Sequence, residues 1–158
     1  MQIVFRAAAS SDIPELCRLR LAYFEEDFGK LPEQQTAAIS AQLPQYFSAH
    51  LGRDCAVFVA EAPDGTLAAN VLLICEEKPA NPFFPSGKSG YVLGVYTMPE
   101  YRGQGIATRL MQMLQEYAAA VPLDIVTLSA SEMGMGVYEK IGFTVRHTGF
   151  TEMEWKPE

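Results

Sequence analysis

No stretch of this chain approaches the ~20 consecutive apolar residues that cross a bilayer, so no spanning helix is expected. The opening residues, MQIVFRAAASS, lack a basic leader, and Arg6 breaks their short apolar stretch, so no signal peptide is expected. Cysteine is scarce. Cys17, Cys55 and Cys75 are scattered among apolar neighbours, with no C-x-x-C pair. That excludes a disulfide framework and points to buried, reduced thiols in a cytoplasmic protein. A zinc site would need clustered Cys and His, and the two histidines, His50 and His147, have no such cluster around them, so no metal site is expected. Basic residues are also short: 12 Lys and Arg face 19 Asp and Glu, a formal charge of −7. This argues against sequence-independent nucleic-acid binding, which needs cations against phosphates. It leaves room for a cationic small substrate. Repeats, low-complexity tracts and linkers are missing too, so residues 1–158 read as one domain.

Apolar periodicity supplies the elements. Gln2–Ala7 reads as a strand. Ile13, Leu16, Leu19, Leu21 and Tyr23 recur at about helical spacing after Ser10, Ser11 and Asp12, any of which could cap a helix. A second helix covers about Glu33–Leu51, with a break expected at Pro44. Cys55–Glu61 and Leu67–Glu76 flank the turn residues Asp64-Gly65, a hairpin signal. Lys78–Gly90, with its prolines and glycines, reads as a long loop. Tyr91–Met98 is a nearly continuous apolar strand, as in a doubly covered position. Ile106–Val121 is helical, with Ile106, Leu110, Met113, Leu114, Tyr117 and Val121 on one face. Leu123–Ser129 is a further strand, and a short helix ends near Gly142. Phe143–His147 and Phe150–Trp155 read as a closing hairpin. Met111, Met113, Met133 and Met135 read as core or gap-filling residues. The order β–α–α–β–β–β–α–β–α–β–β predicts an α/β (α+β) mixed sheet with helices on both faces.

The segment YTMPEYRGQGIAT (Tyr96–Thr108) carries the chemistry. A strand stops, two glycines follow Arg102, and a helix starts at Ile106. A helix N-terminus offers unpaired N–H groups and the positive end of a dipole, a ready anion site. Gly103 and Gly105 bare the backbone, Arg102 adds charge and Thr108 offers a hydroxyl. A turn that merely needs glycine would look the same, but the strand–Pro–Arg–Gly-x-Gly–helix context favours phosphate. A dinucleotide fingerprint fails because Thr108 stands at its third glycine and four strands precede it. A P-loop fails for want of its lysine.

VYTMPEYRGQGIATRLMQML closely resembles the acetyl-CoA-binding segment of the GNAT family of N-acetyltransferases. Arg102, Gly105 and Ala107 match its Arg/Gln-x-x-Gly-x-Gly/Ala pattern. VYEKIGF (Val137–Phe143) resembles the family's Tyr-x-x-x-Gly-Phe stretch, and FRAAASSDIPELCRLR (Phe5–Arg20) resembles its usual opening. The resemblance implies a GNAT-like fold, a mostly antiparallel sheet splayed between strands four and five. It implies acetyl-CoA as co-substrate, a primary amine of a small molecule or peptide as acceptor, and no metal. A homodimer would be compatible with the family. Val95, Tyr96 and Thr97 would meet the pantetheine arm. Arg102, Gly103, Gln104, Gly105, Ile106 and Ala107, with Thr108 beside them, would hold the pyrophosphate. Tyr138 would protonate the leaving thiolate. The sequence departs from the family where many members carry a strand-four glutamate: Leu93 and Gly94 stand there. The base lies elsewhere, among Glu25, Glu26, Asp27, Glu76, Glu77, Glu132 and His50, or is water. The missing glutamate keeps a second reading open, a non-catalytic acyl-CoA sensor or structural domain. Glu25, Glu26 and Asp27 form an acidic cluster that could meet a cationic acceptor. Phe83 and Phe84 would line the acceptor pocket, a subunit contact or local packing.

Overall fold

The structure, a computed structural model, describes residues 2–157. The chain opens with β1 (Val4–Ala7) and a 3-10 turn at Ser10–Asp12, then enters α1 (Ile13–Phe28). Pro14 sits in the first turn, where a missing N–H costs nothing. Gly29 ends the helix with φ of 74° and donates its N–H to Glu25 O. Neither serine nor Asp12 caps α1 through its side chain. The Asp12 carboxylate turns back instead, accepting from Ala9 N–H at 2.7 Å and from Arg6 at 2.7 and 2.9 Å.

α2 (Glu33–His50) runs through Pro44 as one helix, correcting the expected break. Proline there forfeits one ladder bond. Leu43 and Phe47 on either side are 7% and 1% exposed, and that burial holds the helix on the sheet.

β2 (Cys55–Glu61) and β3 (Leu67–Glu77) form the expected hairpin. Gly65 takes φ of 88°, and Asp64 accepts from the Thr66 N–H and hydroxyl at 3.0 and 2.7 Å. β4 (Lys88–Thr97) begins earlier than its apolar run suggested, because Lys88 and Ser89 still pair with Glu77 and Glu76. α3 (Ile106–Ala120), β5 (Ile125–Thr127) and α4 (Met135–Lys140) follow. β5 is shorter than the apolar stretch Leu123–Ser129 around it.

The sheet order is β1-β2-β3-β4-β5, antiparallel except that β5 lies parallel to β4. α1 and α2 bury Leu16, Leu19, Leu43 and Phe47 on one face. α3 buries Ile106, Leu110, Met111, Leu114 and Ala118 on the other. This is the mixed α/β architecture expected. The buried stripe of α3 is turned slightly from its expected line, leaving Tyr117 and Val121 at 37% and 38% exposure. Met133 stands in solvent at 96% exposure, not in the core.

The closing hairpin does not form: neither Phe143–His147 nor Phe150–Trp155 joins a ladder. Gly149 turns the chain with φ of 75°, and the Phe150 N–H donates to the Thr148 hydroxyl at 3.2 Å. Such local bonding competes with strand pairing. Phe150, Met153 and Trp155 are left 87%, 92% and 84% exposed.

Candidate functional site

β4 and β5 pair only at Ser89↔Ile125, Gly90↔Val126 and Tyr91↔Thr127. Val92–Thr97 continue alone on that side. The β3–β4 register shifts between Asn70 and Leu72, and Gly94 takes φ of 64°. A bulge bends its strand, so β4 departs from β5 where Val95, Tyr96 and Thr97 lie. Asn70, opposite Tyr96 and 1% exposed, leaves its Nδ2 without a hydrogen-bond partner among the described residues.

The splay leads into the glycine loop. After a 3-10 turn at Pro99–Tyr101, Gly103 and Gly105 take φ of 78° and 75°. A Cβ at either would meet nothing within 4 Å. The left-handed backbone, not crowding within the protein, is what demands glycine there. From Gly103 to Thr108 no backbone N–H donates to an acceptor among the described residues, and the first bond into α3 is Arg109 N–H to Gly105 O at 3.1 Å. Gly105 caps the helix with no side-chain bond. Gly103, Gln104, Gly105, Ile106, Ala107 and Thr108 thus present consecutive free donors at the positive end of α3.

Arg102 belongs to this loop, but its side chain points back to α1. Its Nη2 donates to both oxygens of Glu26 at 2.7 and 2.9 Å, and its Nε to Thr97 O at 2.9 Å. The guanidinium carbon lies 5.6 Å from the centre of the Tyr96 ring. Arg102 holds the Glu26 carboxyl below the usual carboxylate range. Tyr96 OH donates to Glu26 at 3.3 Å, and the Tyr96 ring lies 5.8 Å from that of Tyr23.

Tyr138 stands on α4, half-buried, its ring 6.1 Å from Phe143. Burial raises its pKa, with a smaller contribution from Tyr23. Burial likewise raises Tyr23 and Tyr96. Three phenols around the splay are therefore held protonated at neutral pH.

The other sequence candidates scatter. Glu76 and Glu77 pair at the start of β4, far along the strand from Val95. His50 Nδ1 lies 2.8 Å from Asp54 Oδ1 and its ring stacks on Tyr46. Phe83 and Phe84 sit in the loop whose Ser86 is tied to Asp124 at the start of β5, again the end remote from the splay. Glu26 is the one carboxylate hydrogen-bonded to a β4 side chain in the unpaired half, among the described residues. Sequence reasoning missed Arg20 and Tyr23, which α1 lays against this half of β4.

A cleft of about 850 Å³, lined in part by Tyr138, runs along the free edge of β5 between α4 and residues 142–146. Its lining includes neither Val95–Thr97 nor the glycine loop. The free donors of the glycine loop mark the candidate site, and the cleft shares only Tyr138 with the candidates. Among the described residues no group of three or more His, Cys, Asp and Glu side chains could hold a metal ion, and no helix is long and apolar enough to cross a membrane.

The sequence pattern of the Acetyltransferase (GNAT) family matches residues 13–143. A predicted acetyltransferase from Clostridium acetobutylicum, solved with acetyl-CoA, is 27% identical with a TM-score of 0.82, over 97% of this chain and 96% of that one. A GCN5-related N-acetyltransferase from Ralstonia eutropha JMP134 is 28% identical with a TM-score of 0.80, over 99% and 98%. Glucosamine-6-phosphate N-acetyltransferase from Arabidopsis thaliana, 18% identical with a TM-score of 0.72 over 97% and 99%, shares the fold.

Proposed function

The chain belongs to the GNAT family of acetyltransferases, and on that premise we propose that it moves an acetyl group from acetyl-CoA to a primary amine of a small molecule or peptide, by direct attack in a ternary complex. The observation that supports this best is the run of undonated amides from Gly103 to Thr108, beside the unpaired half of β4. A diphosphate fits that run: several N–H groups converge at a helix start, and no side chain fills the space before them. The free backbone of Val95, Tyr96 and Thr97 suits the pantetheine arm as a strand would. Residues 1–158 act as one such domain.

Acetyl-CoA supplies an acyl carbon activated as a thioester. A free N–H of the β4 splay donates to the oxygen on which charge develops. The acceptor nitrogen forms its bond to the acyl carbon as the carbon–sulfur bond breaks, and the nitrogen's surplus proton leaves through water and restores the Tyr138 phenol. Tyr138, kept protonated by burial, gives its proton to the departing sulfur. An alkylammonium of pKa ~10 must first lose a proton. Glu26 is a poor recipient while Arg102 depresses its pKa, so water at the open end of the splay takes it.

Incubation with acetyl-CoA and a panel of amines, followed by detection of free thiol, tests the reading. Burial pushes the Cys55 thiol up to about 11 and raises Cys17 and Cys75, so the protein's own thiols contribute slowly to that signal. Release of CoA that depends on an amine is expected. Binding without turnover of any amine gives the sensor reading, and no binding of acetyl-CoA ends both.

A further inference from the structure

The arginines of this chain fall into two groups, with one exception. Arg6, Arg18 and Arg102 are ion-paired. Arg53, Arg109 and Arg146 are exposed. Arg20 is neither. It is partly buried on α1 and makes no hydrogen bond or ion pair with any described residue. Its guanidinium carbon lies 4.7 Å from the centre of the Phe24 ring. Its Nη1 lies 3.0 Å from where a Cβ on Gly94 would stand, so the group is laid directly on the β4 bulge. The titratable groups that act on it are Tyr23 of α1, Tyr46 of α2 and Cys55 of β2. Burial raises all three, so they are neutral at pH 7 and none supplies a counter-charge.

A guanidinium partly withdrawn from water without an anion is costly, and such groups are ordinarily paired. Its planar fork fits a carboxylate or a phosphate with two parallel bonds. Its place tells which molecule brings that anion. Gly94 immediately precedes Val95, where β4 runs free. One or two residues along a strand is about 3–7 Å. An oxyanion on Arg20 would therefore sit within a few bonds of an amine attacking a thioester over Val95 and Tyr96, on the sheet face covered by α1 and α2. The diphosphate donors from Gly103 to Thr108 lie past the other end of this stretch, so the two anion sites are separate.

We propose that Arg20 is the acceptor-reading residue, and that the acceptor is an amine carrying an oxyanion, carboxylate or phosphate, within a few bonds of the amino group. This rests on the acetyltransferase reading above and narrows its substrate class. It displaces the acidic cluster of α1 as the main determinant, since Glu26 is already engaged by Arg102.

Matched pairs test it. β-Alanine against its amide, and O-phosphoethanolamine against ethanolamine, differ in the anion and little else, and the two pairs separate a carboxylate from a phosphate site. The wild-type protein should favour the acidic member of at least one pair. Arg20→Met should lower kcat/KM for that member roughly 10²-fold, the scale of a paired, charged hydrogen bond, and abolish the preference. CoA affinity by calorimetry should hold. Arg20→Lys, which keeps charge without the fork, should fall between and guards against a variant that fails to fold. No preference, or a preference that survives Arg20→Met, overturns the inference while leaving the acetyltransferase reading intact. An equal fall of kcat for acidic and neutral amines would place Arg20 on the acyl oxygen and also overturn it. Should no amine turn over, calorimetric titration of both acidic amines with CoA present decides: absence of heat, or heat unchanged in Arg20→Met, overturns it as well.

Discussion

Tyr138 and Asp12 show how much one polar group can be asked to do. The Tyr138 phenol is half-buried and its pKa is raised, so it remains a proton donor at neutral pH. Tyr138→Phe keeps the ring that packs near Phe143 and removes only the hydroxyl. A positioned acid contributes ~10²–10⁴-fold, so kcat should drop by that order with acetyl-CoA affinity nearly unchanged. A wild-type kcat, measured where chemistry limits the rate, would leave Tyr138 as packing alone. Asp12 does structural work. Its carboxylate, 8% exposed as a residue, accepts three bonds and ties β1 to the start of α1. The Arg6 bonds chiefly hold its pKa down, against burial, with Ala9 N–H assisting. A depressed folded value means the stabilisation is complete above the unfolded pKa of ~3.9 and is lost as pH falls through the folded one. Asp12→Asn should cost about 1–3 kcal/mol at pH 7. The gap to wild type in urea melts should narrow below pH ~4. A constant gap across that range would show that the charge of Asp12 carries no stability.

At the scale of elements, the junction of β4 and α3 combines two independent openings. The bulge at Gly94 frees the second half of β4 from β5, and the left-handed glycines deliver the chain into α3 with its first amides unspent. Arg102 then clips the end of α1 to this junction through Glu26. Both partners are about half exposed, so the clip is a positioning contact more than a source of stability. Gly105→Asp tests the junction. It puts a carboxylate where the diphosphate should lie and strains a φ of 75°. Calorimetry should show greatly weakened CoA binding. Circular dichroism checks that the fold persists, since the new Cβ meets open space. Unchanged affinity would remove the phosphate reading of the loop.

Across the whole molecule, the unequal treatment of the two sheet edges stands out. β1 closes one side with a four-residue strand, while β5 at the other holds only three residues and an uncovered edge. In the C-terminal segment, Phe150, Met153 and Trp155 lie in solvent. Trp155 is the single tryptophan, so its fluorescence reports on this tail alone. The expected emission is that of a water-exposed indole, fully open to iodide quenching at all protein concentrations. Emission shielded from iodide at high concentration and released on dilution would show instead that another copy covers the tail.

Sequence alone determined those features that local chemistry dictates. The Asp64-Gly65 turn, the amphipathic stripes of α1 and α3, and the strand–glycine–helix passage at Arg102–Thr108 were legible because turn geometry, helical period and left-handed φ each select residues nearby in the chain. Where a competing long-range term decides, the sequence misled. Pro44 reads as a break, but burial of Leu43 and Phe47 outweighs one lost bond. Phe150–Trp155 reads as a strand, but pairing needs a partner edge, and the segment joins no ladder after the turn at Thr148–Gly149. The candidate site residues divide the same way. The glycine loop and Tyr138 carry motifs. Arg20 carried only one quiet signal, a cation four residues after Leu16, on the stripe where an apolar residue belongs. That it lies on Gly94 without a counter-charge, and that Glu26 rather than a strand-four carboxylate reaches Tyr96, depends on how α1 crosses β4. Contacts between segments about 70 residues apart in the chain are fixed by packing, and no local pattern encodes them.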